Sequence, residues 1–165
     1  MTNDEARDLL IKVYDIAKHS PDLSTQNGAM LLNQDMEVIV CSYNHIPDGL
    51  ATTDERLQRP LKYTYTEHAE RAVVFVAARQ GIKTDKAIMV CNWAACEDCA
   101  RAIIMSGISE LVTHGVPLKL SRQDWRDRVD VADGMLKEAG IKHTVYEDKL
   151  GLPEPIRFDG NLIMV

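Results

Sequence analysis

Residues 67–81 read EHAERAVVFVAARQG and residues 96–107 read CEDCARAIIMSG, two apolar segments that each open on residues able to bind a metal. From Glu67 to Gln80 apolar side chains run almost all round the helical wheel (Ala69, Ala72, Val73, Val74, Phe75, Val76, Ala77), which predicts a buried helix. Gly81 supplies its stop, and Gly107 closes a second such helix over Glu97–Ser106. Between them Lys86–Cys91 reads as a strand. Upstream, Gly28–Asn33 and Glu37–Tyr43 are apolar strands around Asn33-Gln34-Asp35, a polar turn suited to a hairpin. Asp4–Lys18 places Leu9, Leu10, Val13, Ile16 and Ala17 on one helical face before Ser20-Pro21-Asp22 stops it. Downstream come a strand at Glu110–Thr113, a helix at Asp124–Ala139 ending on Gly140, and a strand at Ile141–Tyr146. The order α-β-β-α-β-α-β-α-β predicts an α/β fold, a sheet of about five strands sandwiched between helices.

A chain of 165 residues fits one domain, expected to span 1–165 with a long loop at 46–66 and an irregular tail at 147–165. Loops of that length inside a domain tend to be functional or disordered. The net charge of −6, with no long basic run, argues against a protein that grips long nucleic acid. A small anionic ligand needs only two or three local donors and stays compatible. Met1–Asp8 holds four charged residues and no apolar core, so no secretory leader is expected. The longest apolar run, Ala72–Ala78, is too short to span a membrane. Four cysteines at 41, 91, 96 and 99 are too sparse for a disulfide scaffold, so a cytoplasmic location is expected. Cys41 and Cys91 fall in predicted strands and read as core thiols. His19, His114 and His143 have no partner at metal spacing and read as structural.

The chemistry lies in His68, Glu70, Cys96 and Cys99. Imidazole and thiolate are zinc ligands, and a Cys-x-x-Cys spacing brings two sulfurs to one ion. Each group sits at the start of a helix, where the positive end of the backbone dipole favours thiolate. Three protein ligands leave a fourth tetrahedral position open, the mark of a catalytic rather than a structural zinc site. Glu70, two residues after His68, is at an offset that can place it beside the water that fills it without making it a ligand. Taken alone, Cys-x-x-Cys also fits a redox pair or two buried thiols, and a lone His-x-Glu is more often a solvated helix start. Both motifs together, each opening an apolar helix, favour the metal.

His68-Ala69-Glu70 and Ala95-Cys96-Glu97-Asp98-Cys99 resemble the two zinc motifs of the cytidine and deoxycytidylate deaminase superfamily. Ser20–Ala29, Ser42-Tyr43-Asn44-His45-Ile46-Pro47 and Ile103–Ile108 are similar to further family segments, so the resemblance covers roughly residues 5 to 146. It implies a three-layer αβα sandwich and one catalytic Zn2+ held by His68, Cys96 and Cys99, with Glu70 as proton shuttle. It also implies that Asn44 contacts the sugar, the backbone of Ala69 reads the pyrimidine edge, and Ala29 floors the base pocket. The expected reaction is deoxycytidylate to deoxyuridylate plus ammonia, in a homo-oligomer as large as a hexamer. Arg56, Arg59, Lys62, Tyr63 and Tyr65 in the long loop are candidates for the substrate phosphate or an allosteric nucleotide, or form a solvated charged loop. Trp93 either stacks on a base or packs at a strand end.

Four departures from the family pattern leave the substrate less defined than the reaction. Ala95 replaces a proline, Ala72 an asparagine, Asn27 a valine and His45 a turn glycine. The loop also lacks the cysteine and histidine that hold a second zinc in some relatives. Alternatives are deamination of cytidine, a modified cytosine nucleotide, guanine or a riboflavin-pathway pyrimidine, or a zinc-containing nucleotide-binding regulator without turnover. Glu70 argues against the regulator, because a structural site has no use for an unligated carboxylate and usually takes a fourth protein ligand.

Overall fold

The computed structural model describes residues 1–165. Strands β1 (Gly28–Leu32) and β2 (Val38–Tyr43) form the expected antiparallel hairpin, with Gly28 opposite Tyr43 and Met30 opposite Cys41. Strands β3 (Ile88–Cys91), β4 (Glu110–His114) and β5 (Lys142–Tyr146) complete a five-stranded sheet in the order β2-β1-β3-β4-β5. β1 and β3 pair antiparallel, whereas β3, β4 and β5 run parallel. The parallel half needs crossover helices, and the apolar segments between those strands supply them.

Side-chain alternation sorts the core into two layers. Ala29, Leu31, Met89, Cys91 and Leu111 face α3 (Ala69–Gln80), α4 (Glu97–Met105) and α6 (Gln123–Glu138). Met30, Leu32, Ile88, Val90 and Val112 face α1 (Asn3–Ala17) and the C-terminal residues Leu150, Leu152, Ile156 and Val165. The αβα sandwich read from the sequence is therefore the fold. A capping box starts α1: the Glu5 amide donates to Thr2 Oγ1 (3.2 Å) and the Thr2 amide to Glu5 Oε2 (2.7 Å). Gly28 lets that helix lie flush on β1, since a Cβ there would stand 2.6 Å from the Val13 carbonyl oxygen. No helix is long and apolar enough to cross a membrane.

Three local readings need correction. The segment 147–165, read as an irregular tail, carries a second sheet, the hairpin β6 (Ile156–Phe158) and β7 (Asn161–Ile163). The loop at 46–66 ends in one helical turn, α2 (Lys62–Tyr65), and a further short helix, α5 (Gly115–Leu120), follows β4 directly. Cys91 is buried, but Cys41 is exposed, because β2 is the sheet edge and its outer face lacks full cover. His114 is buried and bonds the Tyr14 hydroxyl (2.7 Å) and the Asp148 carbonyl (2.9 Å), the structural use expected of it.

Candidate active site

His68 is the N-cap of α3 and Cys96 the N-cap of α4, both in extended backbone conformation, with Cys99 in the first turn of α4. The two helices lie side by side, so their N-termini meet. Glu67 fixes the approach: its Oε1 accepts from the His68 amide at 2.8 Å and from Arg71 Nε at 2.6 Å. A one-residue bridge to His45 ties Glu67 to the chain leaving β2.

Cys96 Sγ lies 3.6 Å from Cys99 Sγ, and His68 Nδ1 lies 3.6 Å from Cys96 Sγ and 3.4 Å from Cys99 Sγ. Zinc–sulfur bonds of about 2.3 Å and zinc–nitrogen bonds of about 2.0–2.1 Å at tetrahedral angles set edges of about 3.8 Å between sulfurs and about 3.6 Å from nitrogen to sulfur. The observed triangle matches those edges to a few tenths of an ångström, so the three side chains can hold one zinc ion. Charges are coupled across the cluster. The Cys96 thiol is brought down to about 3 by the hydrogen bond from Cys99, with His68 adding to the effect. Cys99 is pushed up by sharing that hydrogen bond and by burial. Burial works against a charged His68, but Cys96 and Glu70 outweigh it and raise its proton affinity. Glu70, in the first turn of α3 and 5% exposed, is raised chiefly by burial, and its Oε2 has no hydrogen-bond partner.

His68 opens onto a cleft walled by aromatic rings. Trp93 stacks on Trp125 (centroids 4.9 Å apart, 17° between planes), Phe158 meets Trp93 edge-on, and Trp125 stands 5.9 Å from His68. Trp93 Nε1 donates to Ser121 Oγ. Arg59, Lys62 and Tyr63 line the cleft, whereas Arg56 and Tyr65 do not: Arg56 lies over the Tyr65 ring at 4.5 Å and donates to the Ala51 carbonyl. Asn44 lines it with its amide fully engaged, Nδ2 donating to Asp22 Oδ2 and the Thr25 carbonyl and Oδ1 accepting from the Asn27 amide. Ala29 and Ala69 are fully buried in the core layer that also holds Cys96 and Cys99.

The cleft's cations are paired. Lys62 Nζ and Asp22 form a buried ion pair at 2.8 Å, the lysine side chain 9% and the aspartate 2% exposed. Asp22 also accepts from the Ser24 and Thr25 amides, so it organises the whole turn before β1. Lys62→Met is expected to cost about 3–5 kcal/mol in a urea titration, because it strands a buried carboxylate. An unchanged midpoint would show that the pair does not hold the turn. Arg59 bonds Asp159 Oδ1 at 2.6 Å, and Arg122 stands 4.0 Å from its other oxygen.

Trp125, Phe158, Asp159 and Arg122 were not picked out by motif. A compositional signal was present: the chain has only two tryptophans and two phenylalanines, and both tryptophans and one phenylalanine line this cleft.

The profile of the cytidine and deoxycytidylate deaminase zinc-binding region matches residues 3–115, and the chain belongs to that family. An uncharacterized deaminase in the luxG 3' region of Aliivibrio fischeri is 30% identical over 130 residues, 78% of this chain and 84% of that protein. The deoxycytidylate deaminase of Mus musculus is 30% identical over 107 residues, and the match spans only 56% of the mouse protein. Among solved structures, the dCMP deaminase of cyanophage S-TIM5 in complex with dCMP and dUMP aligns with a TM-score of 0.67 over 88% of this chain and 98% of that one. At 14% identity that likeness concerns the fold.

Proposed function

We propose that the protein hydrolyses the exocyclic amino group of a cytosine nucleotide, converting deoxycytidylate to deoxyuridylate and ammonia. The observation that carries this reading is the 3.4–3.6 Å triangle of His68, Cys96 and Cys99 with the unpartnered Glu70 Oε2 in the adjoining first turn of α3. In this reading His68, Cys96 and Cys99 would hold zinc, which would supply Lewis acidity and bring the pKa of water down to about 7. Glu70 Oε2 takes a proton from the attacking water and delivers it to the departing amino group. The stacked tryptophans exclude solvent and offer flat surfaces to the base. Exposed Phe75, on one α3 face with Ala72 and Val76, gives the proposed homo-oligomer an apolar surface.

One observation favours a second reading, an uncharged nucleoside or base as substrate. Asp159 already occupies Arg59 and faces Arg122, so a 5′-phosphate has to displace it. Ammonia release from deoxycytidylate, deoxycytidine, cytosine and guanine separates the readings, and the nucleotide reading requires the phosphate to improve kcat/KM. Asp159→Asn is then expected to raise the preference for deoxycytidylate over deoxycytidine about tenfold, roughly 1.4 kcal/mol. A preference unchanged or lowered by the variant would remove the two arginines from phosphate binding.

A further inference from the structure

Four buried side-chain polar atoms lack a hydrogen-bond partner, and all four belong to the cleft or the cluster at its base: Asn27 Oδ1, Thr66 Oγ1, Trp125 Nε1 and Glu70 Oε2. Folded proteins leave few such atoms, and each is costly. Glu70 is accounted for by the proposed chemistry. The other three come from separate segments, the turn before β1, the end of the long loop and the first turn of α6. All three residues line one cleft, and their spare atoms are an acceptor, a hydroxyl and a donor.

Asn27 is held through its backbone. Its amide donates to Asn44 Oδ1 (2.7 Å) and its carbonyl accepts from the Asn44 amide (3.0 Å). On either side Asn92 grips the chain, accepting from the Gly28 amide and donating to the Gln26 carbonyl. The backbone at Asn27 is thus engaged in both directions, while its side-chain oxygen is left spare. Asn44 is the reverse case, its own amide spent on holding Asn27, Asp22 and Thr25.

We propose that Asn27, Thr66 and Trp125 form the specificity-determining face of this pocket: Asn27 Oδ1 accepts an N–H or O–H of the substrate, Trp125 Nε1 donates to a ring nitrogen or carbonyl, and Thr66 Oγ1 bonds a group between them. The face selects a heterocycle carrying both donors and acceptors. This rests on the deaminase reading for the identity of the substrate, but not for the existence of the face.

Asn27→Leu and Thr66→Val keep side-chain shape and remove the spare polar atoms; Trp125→Phe removes the indole N–H. The zinc-loaded variants are compared with the parent for unliganded melting temperature, for the melting shift given by deoxycytidylate, deoxyuridylate, deoxycytidine or guanine, and for ammonia release. Asn27→Leu and Thr66→Val are expected to melt at the parental temperature or up to about 2–4 °C higher. They are expected to lose the ligand-induced shift and at least tenfold in kcat/KM, mainly through KM. Lower unliganded melting with an unchanged ligand shift would make these atoms structural and overturn the proposal, as would variants that bind and turn over like the parent. If the parent is stabilised by a probe but releases no ammonia, the deaminase reading fails while loss of that shift in the variants still supports the face. A parent stabilised by none of the probes overturns the face for this ligand class.

Discussion

Glu70→Gln is expected to lower kcat at least about 10³-fold while one metal ion per chain is retained. Positioned proton transfer contributes roughly 10²–10⁴-fold, and the reaction needs it at the attacking water and at the departing amine. Glutamine keeps the length and shape of the side chain but cannot carry the proton. Glu70 is outside the ligand triangle, so the substitution removes no donor to the metal. Burial, the largest influence on its carboxyl, raises its proton affinity. Turnover measured alongside metal content decides the point. A variant working within tenfold of the parent would place the proton shuttle elsewhere, and a variant without metal would make Glu70 a ligand.

Cys99→Ala has the other large effect: activity falls to background and bound metal to well under one ion per chain. Two remaining ligands hold zinc weakly, and the loss reaches stability as well as chemistry. An ion present at a thousand times its dissociation constant stabilises the fold by about 4 kcal/mol. A chelator should therefore lower the melting temperature of the parent by about 8–16 °C, at about 2–4 °C per kcal/mol. Cys99→Ala should melt near the chelated parent and respond little to chelator. Elemental analysis and thermal melts in both states check this. If the variant kept its metal, or if chelation left the parent's melting unchanged, the cluster would not be the metal site.

The sandwich was legible because its elements are long or strongly apolar. The 67–80 segment reads as a helix, and Gly81, at φ 68° in the structure, marks its end; the expectation of burial all round fails at Phe75, which stays exposed because only the face of Ala69, Ala72, Val73 and Ala77 packs on the sheet. The ligand triangle was legible because both helix starts carry chemistry-bearing residues in sequence order. The tail hairpin was not, since strands of three residues are too short to show alternation. Its Asp159-Gly160 turn, with φ of 46° and 83°, was the available clue. Cys41 misled because edge and inner strands read alike until the strand order is known. The charge pairs were beyond reach: Arg59 meets Asp159 across a hundred residues, and composition alone does not say that a loop lysine is buried against Asp22.

The orphaned atoms separate what the fold needs from what the cleft awaits. Backbone and side-chain bonds at Asn44, Asn92 and Asp22 satisfy the turn before β1, and Asn27 Oδ1 is left over beside the aromatic wall. Unsatisfied polar groups gathered in one place are a mark of a binding site, because ligand contacts repay a cost that stability alone would not sustain.

The proposed chemistry needs an ion held by three side chains with one corner free. X-ray absorption at the zinc edge of the purified protein measures this directly. The predicted spectrum has two sulfurs at about 2.3 Å and two lighter scatterers at about 2.0–2.1 Å, one of them His68 and the other exchangeable with solvent or an added inhibitor. Four protein donors, a sulfur count other than two, or a first shell that no added ligand alters would contradict it.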